Sequence, residues 1–272
     1  MISSQGIREC VIAREMSFLA PYAAEDLIRV GKPNDGGYVL PDWLAKESDF
    51  LGSFGLDDDW SFDEQFRQLN PTAVIHGYDH SISERVFAIR LAKSVANVGL
   101  GRARPGEISE GISTLRSYRQ FFQGSARHFR QRIFNRLDTP LDVTLNEVLE
   151  RTSARKGLLK IDIEGCEYRI VDDVIRSVDR ILGLVIEFHD TGPLRQVFLE
   201  SVKRLQESFG IVHLHANNCG GVAADGLPEV LEFTFVQKAR IPTGEKRVIL
   251  PLAGIDWPND PNVPEYELRF AA

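Results

Sequence analysis

The stretch Leu158-Leu159-Lys160-Ile161-Asp162-Ile163-Glu164-Gly165-Cys166-Glu167 constrains the chain most. An apolar run with β-branched residues reads as a buried strand. It runs straight into carboxylates and a glycine. Charge is costly to bury, so Asp162 and Glu164 belong at the strand's carboxyl edge, which is where ligands bind in open α/β sheets. A simple acid-capped helix start is the other reading of the same residues.

The same grammar recurs along the chain. Phe50-Leu51-Gly52-Ser53-Phe54-Gly55-Leu56 is a strand candidate that runs into Asp57-Asp58-Asp59, and Ser61 with Glu64 reads as a capping box for the next helix. Strand, glycine turn and helix start make a cradle for a polar ligand group, although no Gly-x-Gly-x-x-Gly fingerprint is present. Ala73–Asp79 is a second short strand. Its terminal Asp79 is positioned either to hold two ribose hydroxyls or to begin a turn, and Tyr78 beside it offers an aromatic surface. Ile181–Asp190, Ile211–Asn218 and Val230–Val236 are further strands, with a helix over 193–209. Residues 97–101 are a candidate third strand or its turn, and Thr144 with Glu147 caps a helix. Strands that alternate with helices and end in a strand pair predict a mostly parallel three-layer sandwich.

Upstream, the spacing predicts a helix over 17–28, and Asn34-Asp35-Gly36-Gly37 reads as a hairpin turn before the strand Tyr38-Val39-Leu40. Residues 1–48 form an N-terminal extension, 49–240 the core, and 241–272 a proline-rich wrap. Within the core, 102–140 interleaves arginines (Arg116, Arg119, Arg127, Arg130, Arg132, Arg136) with aromatics. That segment is either a cover offering guanidinium groups to an anionic substrate or a solvated face.

Side chains two apart on a strand share a face. Glu187 and His189 therefore point together, as do His213, His215 and Asn217. If their strand ends are neighbours, Asp162, Glu187, His189 and His215 converge. Three readings stay open for that set. It binds a divalent cation such as Mg²⁺ or Mn²⁺, it works as metal-free acid and base through His189 or His215, or it is structural. Glu164, Asn217 and Asn218 are candidate substrate contacts.

The net charge of −7 over 272 residues speaks against generic binding to nucleic acid or to an anionic membrane, with a local basic patch left open. No apolar run reaches the length of a membrane span. The first residues lack a basic segment followed by an apolar core. Three scattered cysteines supply neither a disulfide framework nor a thiolate metal site. The expectation is a soluble cytoplasmic protein.

These segments, in this order, resemble the FkbM-type S-adenosylmethionine-dependent methyltransferases, particularly a subgroup related to the methyltransferase-like proteins. The residues that carry the resemblance are Arg29-Val30-Gly31 with Asn34–Val39, Ser53-Phe54-Gly55 with Ser61–Glu64, Tyr78-Asp79, Val143-Thr144-Leu145, Leu159–Gly165, Glu187-Phe188-His189, His215–Asn218 and Pro258–Pro261. The match spans about residues 29–268, and the Lys-Ile-Asp-Ile-Glu-Gly block is its most specific part. The early glycine turn departs from the family's Asp-x-Gly-x-Asn-x-Gly form.

The resemblance implies a class I methyltransferase fold, a seven-stranded sheet whose last strand is antiparallel. It implies that Asp35, Gly36, Gly37, Tyr38, Ser53, Phe54, Gly55, Asp79 and Asp162 surround S-adenosylmethionine. It also implies O-methylation of a glycan or other small-molecule hydroxyl. A nucleotide-sugar enzyme on a similar sheet and a non-catalytic adenosyl-binding module are the rival readings.

Overall fold

The apolar runs that end in polar residues become strands of one sheet. The computed structural model describes residues 6–241 and 243–271; the other residues of the expected extension and wrap, 1–5, 242 and 272, lie outside the described residues. The sheet contains β1 (Phe50–Phe54), β2 (Val74–Tyr78), β3 (Ala126–Phe129), β4 (Gly157–Ile161), β5 (Ile181–Phe188), β6 (Phe209–Ala216) and β7 (Leu231–Gln237). Their spatial order is β3-β2-β1-β4-β5-β7-β6. β7 runs antiparallel to both of its neighbours, and the other pairings are parallel. This is the three-layer Rossmann-like sandwich expected. The strand order reverses between β1 and β4, which fixes a crevice at their carboxyl ends.

Both faces of the sheet are buried, as parallel strands require. Alternate side chains enter two cores. Phe50, Phe54, Leu159 and Ile161 face Val148, Val174 and Val202 of α5 (Leu145–Glu150), α6 (Val171–Arg176) and α7 (Arg195–Leu205). Leu51, Leu158 and Val185 face Leu44 and Phe66 of α1 (Asp42–Glu47) and α2 (Ser61–Leu69). Each fully buried side chain of this kind contributes roughly 1.5–3 kcal/mol. α3 (Glu84–Gly99) and α4 (Gly106–Phe121) lie between β2 and β3.

Several local expectations are corrected. The helix over 17–28 is absent; a 3-10 turn at Arg14–Leu19 precedes a strand at Leu27–Val30, because Pro21 cannot supply a helical amide. That strand pairs with Tyr38–Pro41 as the expected hairpin. Residues 97–101 end α3 and turn, and the third strand is Ala126–Phe129 inside the arginine-aromatic segment. The Thr144 capping box is present. The Ser61 one is not: Ser61 is the first helical residue, after Trp60, and Asp59 Oδ1 accepts from its amide at 2.9 Å. In the tail, Glu265–Phe270 pairs parallel with Ile7–Ile12, joining the two ends of the described chain.

Candidate active site

At the carboxyl ends of β1, β2 and β4 opens a cavity of about 770 Å³. Its floor is the turn after β1. Gly55 there has φ +77°, and a Cβ would strike the Asp162 carbonyl oxygen, so only glycine fits. The Asp162 amide donates to the Phe54 carbonyl at 3.0 Å, stitching the ends of β1 and β4. Asp79 braces the turn from the β2 side: its Oδ2 accepts from the Leu56 and Asp57 amides at 3.0 and 2.9 Å, and its Oδ1 from the Ser81 amide and hydroxyl at 2.7 and 2.6 Å. Burial raises the Asp79 pKa, but these donors outweigh it and leave the group below the usual carboxylate range. Asp79 lines the cavity with its oxygens already engaged, so a ribose contact would replace one of these bonds.

Seven carboxylates line this cavity against three cations, Lys32, Arg132 and Lys160. Lys160 is enclosed and donates to the Gly55 carbonyl at 2.9 Å, with its Nζ 3.6 Å from Asp162 Oδ2. The wall is therefore electronegative, which favours a cationic ligand and opposes a diphosphate.

A second cavity of about 280 Å³ adjoins the first. Asp35, Asp162 and Glu164 line both, so they form the partition. Glu187, His189 and Asn217 line the far side of the smaller chamber. His189 Nε2 faces Asp162 Oδ1 at 4.0 Å, Glu164 Oε2 at 3.6 Å and Glu187 Oε1 at 3.7 Å. Its Nδ1 lies 2.9 Å from Glu167 Oε1, a fully buried carboxylate. Burial lowers the imidazole pKa, yet Glu167, Glu187 and Asp162 together hold it up at about 9. Among the described residues, Asp162, Glu164 and His189 each offer a ligand atom within 4.8 Å of the others. Asn217 Nδ2 donates to Glu187 Oε1 at 2.9 Å, and the Tyr38 hydroxyl lies 3.2 Å from Asp162 Oδ2 and 3.1 Å from Glu187 Oε2.

Of the cofactor-site candidates, Asp35, Gly36, Gly55, Asp79 and Asp162 line the large cavity. Ser53 and Phe54 do not reach it: both are fully buried within β1, and the Ser53 hydroxyl donates to Asp63 Oδ2 at 3.1 Å. Gly37 closes the hairpin against the Lys32 carbonyl and lines neither chamber. Tyr38 reaches the partition from below with a buried ring.

His215 does not join the cluster. Ile161 pairs with Ile186, while Glu187 and His215 both pair with Glu232, so Asp162, Glu187, Glu232 and His215 form a row across four strand ends. The inserted β7 holds His215 two strand spacings, about 9–10 Å, from Glu187. There its Nδ1 meets Glu232 Oε2 at 3.2 Å and its Nε2 Glu265 Oε1 at 3.5 Å. Asn218 is likewise committed: its Nδ2 donates to the Asp260 and Val263 carbonyls and its Oδ1 accepts from the Asp260 amide, tying down the tail. Glu167, Lys160 and Glu232 were missed by sequence reasoning. A single charge inside an apolar strand, as at Lys160 and Glu232, was the available signal.

No family model matches this chain, and no curated protein matches it. Among solved structures, the chain is similar to a precorrin-6y C5,15-methyltransferase from Geobacter metallireducens, at 10% identity over 71% of this chain and 82% of that one, TM-score 0.37. It is also similar to a rRNA methylase from Streptococcus thermophilus, at 13% identity over 72% and 92%, TM-score 0.37. A third similar structure is the fibrillarin pre-rRNA processing protein of Methanococcus jannaschii, at 8% identity over 71% and 68%, TM-score 0.37.

Proposed function

We propose that the chain is an S-adenosylmethionine-dependent O-methyltransferase that acts on a hydroxyl of a saccharide or similar polar metabolite. One observation carries the reading: two chambers at the strand ends share a wall of Asp35, Asp162 and Glu164. A two-substrate transfer needs such a partition, with the reacting groups meeting across it in one orientation.

The large chamber suits the cofactor in size and sign. Ligand sites span roughly 300–1,000 Å³, and a sulfonium with an ammonium is attracted by the carboxylate lining. When bound, S-adenosylmethionine supplies an electrophilic methyl group. The Gly55 turn, braced by Asp79, would hold its adenosyl-methionine body, with Asp35 and Gly36 above. The same lining disfavours a nucleotide-sugar, whose diphosphate would face seven carboxylates.

The small chamber is lined mainly by polar side chains, with Val230 at one edge, and suits hydroxyl donors. Asp162 at the partition accepts the acceptor's hydroxyl hydrogen bond and then its proton as the oxygen becomes nucleophilic. Asn217 and Glu164 orient the remaining hydroxyls. Asp162, Glu164 and His189 also fit a hard divalent cation, since Glu167 would hold Nδ1–H and leave Nε2 for the metal. Such an ion would acidify a coordinated hydroxyl, and it requires a neutral imidazole. An inert adenosyl-binding module would have no use for this second chamber.

The test is incubation with methyl-labelled cofactor and a panel of saccharide precursors, small metabolites, protein and RNA, with and without chelator. Label in the saccharide fraction is expected. Label confined to protein or RNA overturns the acceptor class, and no transfer to any fraction overturns the enzyme reading. Full activity after exhaustive chelation removes the metal.

A further inference from the structure

The α3–α4 pair is the part of the molecule least accounted for by the core. From residue 88 to residue 120 no side chain is buried. Phe87, Trp60, Tyr118 and Phe122 clamp the base, with ring centroids 5.0–5.9 Å apart. Beyond Phe87, α3 runs on for about 18 Å at 1.5 Å per residue. The pair thus projects as a hairpin from the helix layer.

α3 is apolar on two opposite sides. Phe87, Leu91 and Val98, at helical spacing, are buried or half-buried, and Gly111 of α4 lies close against Leu91. On the other side Ile89, Ala92, Ala96 and Leu100 form a second stripe, and every one is exposed, Ile89 by 46% and Leu100 by 64%. A helix with apolar residues on both sides is built to be covered on both. Here one side has α4 and the other faces solvent.

Charge identifies what covers it. Residues 85–106 hold Arg85, Arg90, Lys93, Arg102 and Arg104 and no carboxylate, in a chain of net charge −7. Arg85 begins the exposed stripe and Lys93 borders it, while Arg102 and Arg104 sit in the turn beyond Leu100, where Glu107 at the start of α4 accepts from the Arg104 amide at 3.2 Å. Aliphatic residues ringed by cations match the boundary of an anionic bilayer, where head groups meet acyl chains. A second copy docked by two-fold symmetry would set this cationic stripe against itself. Single-stranded nucleic acid would want aromatic platforms, and residues 88–117 contain no aromatic side chain.

We infer that the exposed face of α3, with the turn that follows it, docks the protein peripherally on an anionic lipid surface. The hairpin springs from the rim of the large cavity, since His80 and Ser81 line that cavity and α3 begins at Glu84. Docking would therefore hold the cavity in a fixed relation to the bilayer. No helix among the described residues is long and apolar enough to cross a membrane, which leaves surface docking as the mode for this element.

The test is co-sedimentation of the full chain with vesicles of mixed phosphatidylglycerol and phosphatidylcholine, and with phosphatidylcholine alone. Two variants accompany it, Lys93→Glu/Arg102→Glu/Arg104→Glu and Ile89→Ser/Leu100→Ser, each checked for an unchanged melting temperature. The expected result is retention on the mixed vesicles only, weakened by salt, with affinity reduced about tenfold or more in each variant. Absence of retention, or equal retention of both variants, overturns the inference. So does concentration-dependent self-association that Ile89→Ser/Leu100→Ser abolishes without any vesicle binding, or retention on RNA in place of vesicles.

Discussion

The Tyr38 hydroxyl lies 3.1 Å from Oε2 of Glu187, and both groups are buried. The same hydroxyl is 3.2 Å from Asp162 Oδ2. A phenol has one proton, so it cannot donate to both carboxyl groups. The arrangement closes if Glu187 is protonated and donates to the Tyr38 oxygen, leaving the phenol proton for Asp162. Burial, with the Asp162 and Glu232 charges nearby, pushes Glu187 well above the usual carboxylate range, consistent with that proton.

Tyr38→Phe removes the link between these acids while keeping the ring. Turnover should fall about 100-fold, the lower end of the range for a lost proton-handling group. Binding of S-adenosylhomocysteine should be little changed. Steady-state kinetics beside calorimetry checks both, and unchanged turnover would remove Tyr38 from the mechanism.

Gly55→Ala forces a side chain against the Asp162 carbonyl at a positive φ. The strain should cost about 2–4 kcal/mol of stability and remove cofactor binding. A melting curve with and without S-adenosylhomocysteine measures both effects. A variant as stable as the parent that still binds would show the turn to be less constrained than the geometry requires.

His189 makes stability depend on pH at the alkaline end. Its pKa stands at about 9 in the folded protein, above the usual 6.5, because the hydrogen bond to Glu167 leads the carboxylate interactions that outweigh burial. A raised pKa stabilises fully below about 6.5, and the contribution disappears as pH climbs through 9. The wild type should lose on the order of 2–3 kcal/mol across that window, and His189→Asn should show a flatter profile in denaturant titrations.

Asp63 acts in a lower window. Burial, opposed by Lys160 and the Ser53 hydroxyl, raises its pKa from 3.8 to about 7. The folded state then holds this proton more tightly than the unfolded one, so stability falls as pH rises from about 4 to 7. Asp63→Asn keeps an acceptor for Ser53 without the charge. It should stabilise by about 1–2 kcal/mol at pH 8 and give no gain at pH 4. Equal effects at both pH values would contradict the buried-charge account.

What was legible in the chain follows from locality. β4, β5 and β7 were readable because an apolar run ending in polar residues is a local pattern, and the Thr144 capping box spans only four residues. Strand Ala126–Phe129 was hidden because it carries Arg127 and His128 at the sheet's edge, where burial is incomplete. The meeting of Asp162, Glu187 and His189 depends on β4 and β5 being neighbours, which alternation of strands and helices favours. His215 was misassigned for the opposite reason. The last strand in the sequence inserts between β5 and β6, and nothing local to His215 records that insertion. The start of α2 at Ser61 was equally hidden, since Ser61 with Glu64 has the more familiar capping pattern.

On the proposed function, the 770 Å³ cavity holds the cofactor. Isothermal titration calorimetry of the folded chain with S-adenosylhomocysteine tests it most directly. One site per chain is expected, weakened by Asp79→Ala because the Gly55 turn loses its brace, and abolished by Gly55→Val. No heat of binding at millimolar ligand from a protein with an intact melting transition would contradict it, as would undiminished binding by Gly55→Val.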